Sequence, residues 1–160
     1  VVKQAHEAAL AVRAYVSCIV RCPYEGAIQP RAVQAVVERL VDLGVDEIDL
    51  GETLGVAYPD EIELLLDTVG ACVQPSELTL HLHNTKGRAL DCVDRAMNLG
   101  VWQYDAACSG LGGCPFAPGA AGNLSTQDLV AFAQRRNVQA DIDVDVLAEA
   151  GLLISKAIGQ

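Results

Sequence analysis

His81 and His83 stand two residues apart in ELTLHLHNT (77–85), a stretch in which polar and apolar residues alternate. Alternation of that kind is the strand period, and it puts both imidazoles on one face. Two imidazoles on one face can hold one divalent cation, and these are two of only three histidines in the chain. No cysteine pair accompanies them, which argues against a closed structural zinc site. Asn123 ends the segment SGLGGCPFAPGAAGN (109–123) and can add an amide oxygen. Two imidazoles and an amide leave a divalent charge unbalanced, so a carboxylate is expected as well. Cys114 lies in the same segment, after Gly110, Gly112 and Gly113 and before a proline. Glycines permit movement and close backbone approach. That suits a lid closing on a substrate, with the thiol as an acid or a nucleophile. Glu52 and Thr53, in GETLG (51–55), follow an apolar run and could bond a substrate or cap the turn.

Groups like these work only if strands bring them to one end of a sheet. RAYVSCIV (13–20) is a β-branched run followed by a helix pattern over 30–43. DEIDLG (46–51) precedes a helix over 59–72, and the histidine strand precedes one over 87–99. VWQYDAACSG (101–110) leads through the glycine-rich segment to a helix over 125–136, and a last helix covers 144–158. The opening VVKQAHEAALAV also reads as helix. Pro30 and Pro59 mark helix starts and Gly44 and Gly100 helix ends. STQD (125–128) resembles a capping box with Asp in the third position. LGVDEID (43–49) and LGVWQYD (99–105) match at Leu, Gly, Val and the closing Asp, a short repeat that aligns strand with strand. Strands alternating with helices imply right-handed crossovers and a parallel sheet, either open and doubly wound or closed as a barrel. Both place function at the carboxyl ends of the strands, where all of the residues above fall. The α/β units found here amount to half of an eightfold barrel.

Composition narrows the partners. The chain is 51% hydrophobic but only 4% aromatic, so its core must be aliphatic. No apolar run approaches the roughly 18 residues that span a bilayer, so no membrane is expected, and no signal peptide pattern opens the chain. A net charge of −10 repels phosphate backbones and excludes nucleic acid as a natural partner. An anionic small ligand stays compatible where a metal or local basic residues offset that field. The six cysteines are sparse and several lie in element patterns, which reads as reduced intracellular thiols in the cytoplasm, or in the mitochondrial matrix if the source is eukaryotic.

The segment SGLGGCPFAPGAAGNLSTQDLV (109–130) resembles the signature loop of the 3-hydroxy-3-methylglutaryl-CoA lyases. YVSCIVRCPYEG (15–26), EIDLGETLGV (47–56) and LHLHNTKGRAL (80–90) are similar to the same family in the same order. Isopropylmalate and homocitrate synthases share the paired-histidine strand but lack the GGCP loop. The resemblance implies a TIM barrel of the pyruvate carboxyltransferase and lyase type, with residues 1–160 forming its C-terminal half and the N-terminal half missing. It implies cleavage of 3-hydroxy-3-methylglutaryl-CoA to acetyl-CoA and acetoacetate, with an acyl-CoA as the partner molecule. His81, His83 and Asn123 match ligands of Mg²⁺ or Mn²⁺, and Cys114 matches the catalytic cysteine. Glu52 stands where the family has a catalytic aspartate, with Thr53 beside it, and Asn84 stands where many members have aspartate. Those two changes leave a different 3-hydroxyacyl-CoA lyase or synthase as an alternative, with a non-catalytic barrel remnant as another. The family's acidic metal ligand and neighbouring arginine belong to the half not found here. A half-barrel exposes sheet edges, so the chain is expected to be inactive alone and to form a homo-oligomer or pair with the other half.

Overall fold

The computed structural model describes residues 1–113 and 122–158. Chain order begins with helix α1 (Val2–Glu7) and strand β1 (Arg13–Ser17), then a hairpin of β2 (Arg21–Cys22) and β3 (Gly26–Ala27). Helix α2 (Pro30–Asp42), strand β4 (Glu47–Glu52), helix α3 (Pro59–Val69) and strand β5 (Leu78–Leu82) follow. Helix α4 (Ala89–Asn98), strand β6 (Gln103–Asp105), helix α5 (Thr126–Arg135) and helix α6 (Val144–Ile158) complete it. Strands β1, β4, β5 and β6 form one parallel sheet in that spatial order, the parallel α/β arrangement that the strand-helix alternation implies and the half-barrel that the resemblance implies.

The period of two sorts the sheet into unlike faces. Val16, Ile48, Leu50, Leu78, Leu80 and Leu82 point one way and are buried beneath the helices. Val33 and Val37 of α2, Ile62, Leu65, Leu66 and Val69 of α3, and Val93 and Ala96 of α4 pack against them. The opposite face carries Arg13, Glu47, Asp49, Thr79, His81 and Asp105. Parallel sheets are ordinarily covered on both sides by apolar layers; here the face opposite the helices is polar. Curvature is visible in one contact: Arg13 on the first strand bonds Asp105 on the fourth at 2.9 Å. Side chains standing perpendicular to a flat sheet would leave those strands about 14 Å apart, three spacings of about 4.8 Å.

Helix starts follow the prolines, at Pro30 and Pro59. Ser125 Oγ accepts from the Asp128 amide at 3.2 Å, so STQD does cap α5. Three local readings change. The opening helix stops at Glu7, because Ala9 turns into the left-handed region at φ 56°. The run 101–110 pairs as strand only over Gln103–Asp105, and Cys108–Gly110 then forms a 3₁₀ turn with Ser109 at φ 55°. The β2–β3 hairpin lies where no element was expected. No helix among the described residues is long and apolar enough to cross a membrane, and none of the five described cysteines is in a disulfide.

Candidate metal centre at the strand ends

His81 lies in β5 on the concave face, directly opposite Gly51 of β4 and Asp105 of β6. His83, just past the strand, keeps the same parity, and the two ring centroids are 5.4 Å apart. Asn123 reaches them because residues 122–125 enter beside the end of β5. Leu124 N donates to Leu82 O at 2.9 Å, Ala107 N donates to Leu124 O at 3.0 Å, and His83 and Asn123 form an antiparallel bridge. Leu124 is fully buried at this point and anchors the segment. Asn123 Nδ2 donates to Leu111 O at 2.8 Å. That fixes the amide orientation and turns Oδ1 toward His81 Nε2, 2.9 Å away.

The three expected ligands therefore converge on one point. Burial, followed by the field of His81, holds the His83 pKa below the usual imidazole value, which favours the neutral form that ligates metals. His83 Nδ1 is also buried without a hydrogen-bond partner, an unmet demand that outer contacts of a metal site ordinarily fill. The donor set fits a divalent cation.

Cys114 lies outside the described residues, but the neck of its loop is defined. Asn123 N donates to Gly112 O at 3.2 Å and Asn84 N to Gly122 O at 3.2 Å. A Cβ on Gly122 would stand 2.1 Å from Gly112 O and 2.2 Å from Gly110 O, so only glycine permits that approach.

Glu52 is not brought to the histidines. It ends β4 opposite Leu82, on the helix-facing side, and is 2% exposed. Its Oε2 accepts from Val56 N at 3.0 Å and ties the following turn. Thr53 Oγ1 accepts from Cys18 N at 2.9 Å, joining the ends of β1 and β4. Asn84 Oδ1 accepts from Ala89 N at 3.1 Å, at the start of α4. Burial is the main force raising the Glu52 pKa above 4.5, against the amides of Val56, Ala57 and Gly55. The folded chain thus binds this proton more tightly than the unfolded chain. The corresponding stability is present below about pH 4.5 and is lost as pH rises through the folded value. A Glu52→Gln variant is expected to melt higher than wild type near pH 8 and equally below about pH 4.5. Thermal scans at the two pH values check it, and equal melting at high pH would contradict the burial argument.

Sequence reasoning did not single out Arg13, Asp49 or Asp105. Arg13 Nη1 lies 2.9 and 3.1 Å from the two oxygens of Asp105 and 3.5 Å from Asp49 Oδ2, and its Nη2 pairs with Glu47. Thr79 Oγ1 donates to Glu47 at 2.7 Å. Asp49 is fully buried, and burial, then the adjoining Asp105, push its pKa up to about 7. Asp105 is moved down: burial opposes this, but the bonds from Arg13 and Asp49 outweigh it.

Parallel strands alternating with helices, with two histidines and an amide gathered at the carboxyl end of the sheet, define half of a TIM-barrel α/β protein with a candidate metal site. The chain belongs to the HMGL-like family, whose model matches residues 1–154. It is 40% identical over 159 residues to the hydroxymethylglutaryl-CoA lyase of Pseudomonas mevalonii, covering 99% of this chain and 53% of that protein. The HMG-CoA lyase of Brucella melitensis superposes with a TM-score of 0.95 at 41% identity, over 99% of this chain and 56% of that one. An HMG-CoA lyase from Acinetobacter baumannii, solved in complex with coenzyme A and 3-methylmalate, superposes at 0.92 with 37% identity, over 99% and 52%. The chain spans about half the length of the relatives it matches.

Proposed function

We propose that the full-length protein is a metal-dependent carbon-carbon lyase that cleaves 3-hydroxy-3-methylglutaryl-CoA to acetyl-CoA and acetoacetate. The observation that carries this reading is the convergence of His81, His83 and Asn123 at the strand ends, beside the neck of the glycine loop. His81 Nε2, the His83 ring and Asn123 Oδ1 would hold Mg²⁺ or Mn²⁺, which supplies Lewis-acid polarisation of a substrate oxygen. Asn123 has a double task, because its amide both faces the histidines and bonds Leu111 O at the loop neck. Closure of the loop then excludes water from the reacting carbon, and the Cys114 thiol gives that carbon its proton once the bond has broken. Glu52, Thr53 and Asn84 serve by holding the backbone of the strand-end loops, so Glu52 and Asn84 do not by themselves argue for another acyl-CoA. The concave face of β1, β4, β5 and β6 is completed by a second half-barrel or by another copy of the chain, joined along the outer edges of β1 and β6.

The test is release of acetoacetate from 3-hydroxy-3-methylglutaryl-CoA by the full-length protein with Mg²⁺ or Mn²⁺, beside a panel of other 3-hydroxyacyl-CoAs. Turnover of another member in preference to this substrate would overturn the assignment. In the same assay, Cys114→Ala is expected to lower kcat by about 10²–10⁴ with KM little changed. Full activity in that variant would remove the thiol from the mechanism.

A further inference from the structure

We propose that Asp105 and Arg13 are positioning residues for His81: Asp105 fixes the Nδ1 side of the ring, and Arg13 holds Asp105 in place. The inference rests on reading His81, His83 and Asn123 as a metal centre. Asp105 stands directly opposite His81 in the β5–β6 register, with Oδ2 3.5 Å from Nδ1. The other ring nitrogen, Nε2, faces Asn123 Oδ1 at 2.9 Å. With a cation bound, Nε2 and Asn123 Oδ1 would both turn lone pairs to it, which leaves the ring hydrogen on Nδ1, the side that Asp105 faces.

Asp105 is in turn gripped through both oxygens by Arg13. Both contacts come from one guanidinium nitrogen, Nη1, and charge-assisted bonds of this kind hold the carboxylate in place. Asp49, His81 and Asp105 each offer a ligand atom within 4.8 Å of the others, a spacing that would also suit a cation. The guanidinium of Arg13 already lies against both aspartates, however, so the positive charge at that point is supplied by the chain. The cluster therefore acts on the metal through His81 rather than binding a second ion. The chain of contacts runs from β1, at the edge of the sheet, to the metal ligand on β5.

The experiment uses the full-length protein, ¹⁵N-labelled at histidine and loaded with Mg²⁺, and reads the ring nitrogen shifts, with Mn²⁺ affinity measured in parallel by electron paramagnetic resonance. Wild-type His81 is expected to carry hydrogen on Nδ1 and none on Nε2. Asp105→Asn should disturb that pattern and raise the Mn²⁺ Kd by about 10–100-fold. Arg13→Gln should move both readouts in the same direction by less, and Asp105→Glu should recover part of the affinity. A wild-type His81 with hydrogen on Nε2 overturns the proposal without any variant, so misfolding of Asp105→Asn does not shelter it. An unchanged Kd in a folded Asp105→Asn protein, or a weakened one with the ring pattern intact, overturns it as well. A protein with the expected ring pattern but no lyase activity would sink the lyase reading and leave this one standing. An active lyase with unchanged affinity in Asp105→Asn would do the reverse.

Discussion

Replacing His83 with alanine in the full-length protein is expected to weaken Mn²⁺ binding by more than about 100-fold, beyond the 10–100-fold typical of outer contacts. His83 is 8% exposed, forms a backbone bridge with Asn123, and has its pKa lowered chiefly by burial. The metal-free protein should lose little stability from the change. The imidazole already keeps one buried nitrogen unsatisfied, and an unmet group of that kind costs about 1–3 kcal/mol. The loss should appear when metal is added. Saturating a site at about 100 times its Kd stabilises a fold by about 2.7 kcal/mol, so wild type should melt higher with Mn²⁺ and His83→Ala should not. Thermal melts with and without Mn²⁺ decide it. A variant that responds to Mn²⁺ as wild type does would remove His83 from the site.

The second large effect is expected at Gly55, in the turn that follows Glu52. Its φ of +66° lies in the left-handed region, and a Cβ there would meet Thr85 N at 2.5 Å and His83 C at 2.9 Å. Both are backbone atoms of the loop that carries the histidine, so no side-chain rotation relieves the contact. The left-handed conformation costs a non-glycine residue about 1–2 kcal/mol and overpacking about 1–3 kcal/mol. Gly55→Ala should therefore lose about 2–5 kcal/mol, a large part of the 5–15 kcal/mol that ordinarily holds a domain together. Because the displaced atoms include His83, Mn²⁺ affinity should fall with it. Gly87→Ala is the control, since its φ is +69° but nothing lies within 4 Å of a Cβ there. Equal losses in the two variants would show that conformation alone, and not the contact with the histidine loop, sets the effect.

Much of this architecture is legible in the sequence, because its signals are local. Pro30 and Pro59 start helices where a missing amide costs nothing. The alternation around His81 and His83 declares their shared face before any partner strand is known. Harder to read are features set by neighbours distant in the chain. Alternation assigns Asp49 and Asp105 to a face, but not to adjacent places on it. The matching segments 43–49 and 99–105 held the clue, since their closing aspartates are these two residues and sit on either side of the strand bearing His81. Glu52 misleads for the opposite reason. Its type and place in GETLG suggest chemistry, yet strand parity turns it away from His81 and toward the helices. The end of α1 has no glycine or proline to announce it, only the left-handed Ala9.

The unlike faces of the sheet also bear on how the chain finds its native pairing. On the helix side β5 presents Leu78, Leu80 and Leu82. Sliding β5 by two residues against β4 would leave leucine at two of those three places, so the apolar layer barely distinguishes the slipped ladder from the native one. The concave side distinguishes them sharply. A slip of β5 alone sets Thr79 opposite Glu47 or Gly51 in place of Asp49 and parts His81 from Asp105, so the charged contacts of this face must be remade. Residues beside the proposed metal centre thus also bear on the folding of the strand that carries them. A substitution on this face can reduce the yield of correctly paired protein even where the finished molecule would tolerate it.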